Sequence, residues 1–120
     1  MLGNMIVAGA DAKQELPETR LGLMPGGSGM QPLPRLIGKA LAKELIWTGR
    51  RISSAEAREY RLVNHLTEAG NALDKPREIA CAICADAPPS VIMTIAAVDR
   101  GLDMSLADGM AVEDDVSFML

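Results

Sequence analysis

Residues 16–27 read Leu-Pro-Glu-Thr-Arg-Leu-Gly-Leu-Met-Pro-Gly-Gly and place one carboxylate, that of Glu18, shortly before a glycine-rich loop. The loop, Pro25-Gly26-Gly27-Ser28-Gly29, precedes a predicted helix. Exposed backbone N–H groups in such a loop can bind an anion or orient a water molecule. A partly desolvated carboxylate beside them is suited to exchange protons with a substrate. On these residues alone, the alternative stays open that the loop is only a turn and that Glu18 is solvated.

The composition is that of one globular domain, with 48% apolar and 23% charged residues in a chain of 120. The three aromatic residues, Trp47, Tyr60 and Phe118, are too few for an aromatic cage or a base-stacking platform. No apolar run approaches the roughly 20 residues of a membrane span. Residues 1–10 contain no Lys or Arg, so they predict neither a secretory nor a transit segment. We therefore expect no membrane partner.

Charge is distributed unevenly along the chain. The formal net charge of −4 argues against a nucleic-acid partner. Residues 1–61 hold nine Lys or Arg and six Asp or Glu, whereas residues 62–120 hold three and ten. An anionic ligand would therefore meet the first half more readily. The alternative is that the two halves are simply solvated surfaces of different composition.

Cys81 and Cys84 form a Cys-x-x-Cys pair, which raises the possibilities of a redox dithiol or a zinc site. Zinc needs two more ligands at suitable spacing, and His65 is the only histidine. A redox dithiol needs an electropositive helix start, whereas this pair lies within residues 77–87, where apolar residues recur at helical spacing. We interpret both cysteines as small apolar helix residues and expect no metal.

The hydrophobic pattern predicts short strands followed by amphipathic helices. Residues 5–8 and 62–63 have the apolar character of strands, and residues 12–16 are expected to be extended before a proline. A helix is predicted over residues 39–48, ended by Gly49. Further helices are predicted after Ser53, which forms a capping box with Glu56, over residues 77–87, from Pro88 to Gly101, and after Ser105, which caps with Asp108.

The run Leu16–Gly27 resembles the crotonase (enoyl-CoA hydratase/isomerase) superfamily. The resemblance continues through Gln31, Leu33–Arg35, Gly38–Leu45, Thr48–Ser53, Glu56-Ala57, Leu62–Asn64 and Ala97–Leu102. The middle section is most similar to mitochondrial-type hydratases that resemble methylglutaconyl-CoA hydratase. The resemblance implies an α/β fold, the C-terminal part of a crotonase-type spiral with few short strands and then mostly helices. Residues 1–65 would end the core and carry Glu18 and the glycine loop, and residues 66–120 would form the helical region that the family uses to trimerise.

The resemblance also implies roles for two residues. Glu18 would be one of two catalytic glutamates that handle the water or the α-proton of an acyl-CoA thioester. Gly26 would offer its backbone N–H to the attacking water, while two other backbone N–H groups stabilise the thioester oxygen. The family needs no metal and no redox cofactor, and acyl-CoA is its substrate. Its location would be the mitochondrial matrix or the cytoplasm.

Several features depart from the family pattern. The resemblance implies that the first half of the fold, with both oxyanion donors and the other glutamate, lies outside these 120 residues, as do the helices that follow residue 120 in the family. Glu15 and Ser28 stand where the family usually has glycine, and Met30 and Pro32 flank Gln31. Pro32 would cost about 3 kcal/mol inside a helix, or would delay the helix start. Arg61 replaces an expected glycine and would cost roughly 1 kcal/mol if the position requires a positive φ.

We therefore predict an enoyl-CoA hydratase-like protein, an incomplete family member that is inactive as an isolated chain. Two alternatives stay open. An enoyl-CoA isomerase can work with a single glutamate at the position of Glu18, and a noncatalytic relative would only associate with crotonase helices. We expect self-association as a trimer or hexamer, or binding to a full-length crotonase, because the apolar stripes of the predicted helices exceed what a short chain can cover.

Overall fold

The computed structural model describes residues 4–27 and 29–119, so Ser28 lies outside the described residues. Four strands and six α-helices appear in these ranges. The strands are β1 (Val7–Gly9), β2 (Lys13–Gln14), β3 (Ile52–Ser53) and β4 (His65–Thr67). The helices are α1 (Pro32–Ile37), α2 (Lys39–Thr48), α3 (Ser54–Glu59), α4 (Asp74–Cys84), α5 (Pro88–Gly101) and α6 (Leu106–Ser117), and a 3₁₀ helix, the Glu18 turn, spans Glu18–Leu21.

The chain divides into two compact units, Met1–Pro76 and Arg77–Leu120. In the first unit β1 pairs with β4 in parallel, with Val7 opposite His65, and β2 pairs with β3 in antiparallel fashion, with Gln14 opposite Ile52. A small apolar core is built from residues of β1, β3, α1, α2, α3 and the segment that follows α3. Its buried members are Ala8, Leu33, Ala42, Leu45, Ile46, Ile52, Ala57, Leu62 and Val63. The predicted division of functional regions after residue 65 stays a prediction, because compactness alone does not test it.

The helix predicted over residues 39–48 is confirmed as α2, and Gly49 ends it with a φ of 56°. The capping box is also confirmed, since the Ser53 hydroxyl accepts from the Glu56 amide and the Glu56 carboxylate accepts from the Ser53 amide. Pro32 occupies the first position of α1, so the helix starts late and avoids the cost of an internal proline. Local signals of spacing and capping thus predicted this part of the fold well.

The strand predicted at residues 62–63 is wrong. The amides of Leu62 and Val63 both donate to the carbonyl of Ala57, at 2.8 and 3.2 Å, so this segment folds back on the end of α3. Its two side chains are buried in the core. The strand lies two residues later, at β4, where the chain runs beside β1.

The helix predicted over residues 77–87 begins earlier and ends earlier than expected, because α4 spans Asp74–Cys84. Ala87 is extended, with a φ of −68° and a ψ of 119°, because it precedes Pro88. Both cysteines lie on α4 as predicted, but their thiols are free and exposed, so they pack into no apolar core. In the second unit Ser105 caps α6 by accepting from the Asp108 amide, as predicted.

Arg61 has a φ of 62° and is the one non-glycine residue with a positive φ among residues 4–27 and 29–119. The resemblance implied glycine at this position, and the positive φ is a conformation that glycine adopts readily. We expect Arg61→Gly to raise the free energy of unfolding by up to about 1 kcal/mol, because glycine adopts this conformation without the penalty of a Cβ atom. Arg61→Ala keeps the Cβ and serves as the control. Urea denaturation measures both variants, and equal stabilities for Gly and Ala would contradict the explanation.

Candidate active site

Glu18 is the first residue of the 3₁₀ turn that follows Pro17. The turn ends at Gly22, whose φ of 71° is left-handed, and the Leu23 amide donates to the Glu18 carbonyl at 3.0 Å. The Glu18 side chain is half-buried, and its Oε2 atom is buried without a hydrogen-bond partner among the described residues. Unpaired buried oxygens are uncommon, and a water or a substrate often supplies the missing bond. No described residue therefore hydrogen-bonds this oxygen, and the carboxylate is not committed to an ion pair as that of Glu15 is.

Gln14 is a useful contrast, because its Oε1 atom is also buried without a partner in the described part of the chain. Gln14 lines a small cavity of about 40 Å³ in the first unit, together with apolar side chains that include Leu33 and Leu45. A space of this size is large enough for a water molecule. Gln14 thus lies at an internal cavity of the first unit, whereas Glu18 lies in a turn at the surface.

The loop between the Glu18 turn and α1 contains Gly26 in an exposed position. The Gly26 carbonyl accepts from the Gly29 amide at 3.2 Å, which closes a tight turn. Within residues 4–27 and 29–119 no carbonyl or side chain accepts the Gly26 amide hydrogen. The neighbouring Gly27 has a φ of 58°, a conformation that favours glycine. The structure places Glu18 and Gly26 in one connection between β2 and α1, with no hydrogen bond joining them.

Two ion-pair clusters lie in the same unit. Arg51 donates two hydrogen bonds of 2.9 Å to the carboxylate of Glu15, the residue that stands where the resemblance led us to expect glycine. This bidentate contact holds the pKa of Glu15 below its ordinary value. Glu15 is therefore engaged with Arg51, which distinguishes it from Glu18.

The second cluster centres on Arg50, which the sequence interpretation did not single out. Its guanidinium donates to Glu44, Glu56 and Tyr60 at 3.2, 3.0 and 3.2 Å. The pKa of Glu56 is lowered, first by the hydrogen bond from the Ser53 amide and then by that from Arg50, and the pKa of Arg50 is raised. The capping motif identified Glu56, but no local pattern predicts a guanidinium that joins α2 to α3.

This cluster predicts a loss of stability in acid. Because the pKa of Glu56 is lower in the folded chain than its ordinary value of 4.5, its contribution is present above pH 4.5 and is lost as the pH falls below it. We expect the urea midpoint to be steady near neutral pH and to fall below about pH 5. Glu56→Gln should have a lower midpoint at pH 7 and a shallower fall in acid.

The control is Glu59→Gln, which changes an exposed carboxylate of the same helix that has no ion-pair partner in the described ranges. It should keep the wild-type pH profile of the urea midpoint. Parallel profiles for wild type and Glu56→Gln would show that the Arg50 cluster does not govern the acid response.

The second unit contains an open apolar groove of about 530 Å³ between α5 and α6, which the sequence interpretation missed. A Cβ atom added to Gly109 would lie 3.3 Å from the Gly101 Cα, so the two glycines allow the helices to approach closely. The sequence signal was available, because small residues on two successive amphipathic helices permit such contact. The groove is lined by Met93, Thr94, Ala97, Val98, Gly101, Leu102, Leu106, Gly109, Met110, Glu113, Val116 and Ser117.

No group of three or more His, Cys, Asp or Glu side chains among the described residues is arranged to hold a metal ion. No single helix in residues 4–27 and 29–119 is long and apolar enough to span a membrane, although α4 and α5 together, joined at a sharp bend, meet the length and composition requirements.

The chain is similar to a known family along nearly its whole length. The family described as Enoyl-CoA hydratase/isomerase matches residues 1–118. Enoyl-CoA hydratase domain-containing protein 2, mitochondrial, from Bos taurus is 48% identical over 111 residues, which covers 89% of this chain and 38% of that protein. Methylglutaconyl-CoA hydratase, mitochondrial, from Rattus norvegicus is 37% identical over 112 residues, covering 90% and 36%.

The fold is similar to solved structures as well. The crystal structure of enoyl-CoA hydratase from Bacillus anthracis matches with a TM-score of 0.92 at 39% identity, covering 95% of this chain and 44% of that one. The crotonase-type α/β fold, with few short strands and mostly helices, is thereby confirmed. The chain spans less than half the length of these relatives.

Proposed function

Because the chain belongs to the enoyl-CoA hydratase/isomerase family, we propose that it supplies Glu18 and the Gly26 amide to an active site that hydrates 2-enoyl-CoA thioesters. The observation that supports this most is the Glu18 carboxylate, half-buried with an unpartnered Oε2 in the turn that carries the family motif. The Gly26 amide hydrogen, which no described residue accepts, is the second contribution. Such a carboxylate transfers protons, and such an amide orients water.

In the proposed reaction, water adds across the C2–C3 double bond of the acyl chain. A C3–O bond forms as the water loses a proton to a carboxylate, and a proton is delivered to C2. Glu18 serves as one of the two groups that handle these protons. The negative charge that develops on the thioester oxygen requires two backbone N–H donors. We propose that these donors and a second glutamate come from sequence outside these 120 residues.

The proposal extends to the setting of the reaction. It assigns the protein to the lyases of fatty-acid or branched-chain amino-acid breakdown, in the mitochondrial matrix or the cytoplasm. It assigns the proton transfers to side chains and backbone alone, without a metal or a redox cofactor. We therefore expect that treatment with EDTA leaves the hydratase activity of the completed active site unchanged. We also expect this activity in protein that carries no bound chromophore.

The experiment uses a chimera in which this chain replaces the matched segment of the Bacillus anthracis enoyl-CoA hydratase, a graft supported by the TM-score of 0.92. Its products from crotonyl-CoA and from a 3-enoyl-CoA are identified by mass spectrometry and chromatography. We expect 3-hydroxybutyryl-CoA from crotonyl-CoA. Isomerisation without hydration would favour the single-glutamate isomerase instead, and a folded chimera with neither activity would favour a noncatalytic relative.

We also propose that the α5–α6 groove is an assembly surface, with self-association or binding to a full-length family member. Leu102 and Leu106 line the groove and are 83% and 80% exposed. Covering such a side chain contributes about 1.5–3 kcal/mol, so Leu102→Lys should weaken self-association by roughly tenfold to hundredfold. Light scattering and sedimentation across a dilution series measure the change.

The matched control is Leu73→Lys. Leu73 belongs to the first unit, is 66% exposed and does not line the groove. The substitution should leave the association constant unchanged. A wild-type chain that stays a monodisperse monomer at tens of micromolar, alone and in the presence of a full-length family member, would contradict the proposed assembly.

A further inference from the structure

The two residues that follow Glu18 donate hydrogen bonds to carbonyl groups at the C-terminal end of α2. The last four carbonyls of a helix have no amide donor within it. In α2 the Leu45 carbonyl accepts from the Gly49 amide at 3.0 Å. The Thr19 hydroxyl donates to the Ile46 carbonyl at 2.6 Å, with a longer contact of 3.5 Å to the Trp47 carbonyl, and the Arg20 Nε donates to the Thr48 carbonyl at 3.0 Å.

Gly49 gives Arg20 the room for this contact. A Cβ atom at Gly49 would lie 3.0 Å from the Arg20 Nε and 3.3 Å from its Cγ and Cδ. The absence of a side chain therefore lets the arginine cross the end of the helix. A guanidinium at this position also interacts favourably with the partial negative charge of the helix C-terminus.

The Glu18 turn has little else to hold it in place. It contains no buried residue, and it is a single 3₁₀ turn. The Glu18 Oε2 has no hydrogen-bond partner in the described part of the chain, so this oxygen does not fix its own orientation. The position of the carboxylate therefore depends on that of its backbone, and hydrogen bonds from Thr19 and Arg20 join this backbone to α2.

We propose that Thr19 and Arg20 are positioning residues, which fix the Glu18 carboxylate by hydrogen bonding to the free carbonyls at the end of α2. The catalytic consequence of this positioning rests on the proposed function. The hydrogen bonding of the turn to α2 does not depend on that function. Neither residue touches the reacting atoms. Thr19 provides a short, half-buried bond, and Arg20 provides an exposed, charge-assisted one.

Hydrogen exchange on the full chain tests the structural part. The reporters are the amides of Gly22 and Leu23, which donate to the carbonyls of Thr19 and Glu18 within the turn. Thr19→Val removes the hydroxyl at nearly constant shape and should speed their exchange by about three- to tenfold, the equivalent of one ordinary hydrogen bond. Thr19→Ser should restore slow exchange.

The matched control is Thr48→Val, which deletes a hydroxyl at the same helix end. This hydroxyl donates to the Glu44 carbonyl at 2.7 Å and accepts from the Arg50 amide at 3.3 Å, so neither of these bonds involves the Glu18 turn. The control should leave the exchange of Gly22 and Leu23 unchanged. A second variant, Arg20→Met, keeps the aliphatic stem and removes the donor, and it should also speed exchange at the turn. Unchanged exchange in both Thr19→Val and Arg20→Met, or equal acceleration in Thr48→Val, would overturn the proposal.

The chimera tests the catalytic part. Thr19→Val should lower kcat for crotonyl-CoA hydration by at least tenfold with KM nearly unchanged, because a misplaced carboxylate impairs proton transfer more than substrate binding. Thr19→Ser should recover most of kcat. Equal losses in kcat for Thr19→Val and Thr48→Val would overturn a positioning role. A parent chimera that is folded but inactive would instead reject the proposed function, and the exchange data would still decide whether the turn is held by α2.

Discussion

Replacing Glu18 by glutamine in the chimera should lower kcat for crotonyl-CoA hydration by roughly 10²- to 10⁴-fold, the usual contribution of a general acid–base group. Glutamine matches the shape of the carboxylate but cannot exchange the proton. No described residue hydrogen-bonds the Glu18 Oε2 atom, so the substitution removes no contact at this oxygen and the variant should fold as the parent does. KM should change little, because the loss falls on the transition state.

The control for this prediction is Glu15→Gln, which removes a neighbouring carboxylate whose partner is Arg51. It should leave kcat within a few fold of the parent, while it removes the bidentate contact. Steady-state kinetics with crotonyl-CoA, together with circular dichroism of each variant, separates a chemical loss from a folding loss. A Glu18→Gln chimera with the turnover of its parent would show that Glu18 is only a residue of a surface turn.

Replacing Gly26 by proline should have the second largest effect, because it removes the one backbone N–H that the proposal assigns to the water. Loss of a comparable positioned donor lowers kcat by about 10²- to 10³-fold. Gly26→Ala is the matched control, since a Cβ at this position meets no atom of the described residues within 4 Å and Gly26 does not have a left-handed φ. The alanine variant keeps the N–H and should retain activity close to that of the parent.

Kinetics and urea denaturation of the two Gly26 variants distinguish the explanations. A proline variant that is as stable as the alanine variant but far less active supports the role of the amide. If alanine and proline lower kcat equally, the space around the loop matters rather than its N–H, and the assignment of Gly26 is wrong.

Sequence alone predicted the features that depend on neighbouring residues. The boundaries of α2, the left-handed Gly49 and the capping box of α3 follow from spacing and from the chemistry of helix ends, which act over a few residues. The family resemblance, rather than the neighbouring residues, implied a glycine at position 61, where the structure has a positive φ. The motif around Glu18 identified the family, and the comparisons agree with it.

Contacts between residues that are distant in the chain could not be predicted from the sequence patterns. An apolar pair such as Leu62 and Val63 fits a strand or a buried turn equally well, and the hydrogen bonds to Ala57 decide for the turn. The parallel pairing of β1 with β4 joins residues far apart in the chain, as do the bonds from the Glu18 turn to α2. No periodicity reports such contacts, because they depend on how the elements pack.

The central claim is that this chain supplies Glu18 and Gly26 but needs further family sequence to complete the active site. A side-by-side assay of crotonyl-CoA hydration by the isolated 120-residue chain and by the chimera, each with its Glu18→Gln control, tests it most directly. The account predicts Glu18-dependent turnover by the chimera and no hydration by the isolated chain above its control, because proximity and the oxyanion donors are both needed. Glu18-dependent turnover by the isolated chain, or a folded chimera no faster than its Glu18→Gln control, would contradict it.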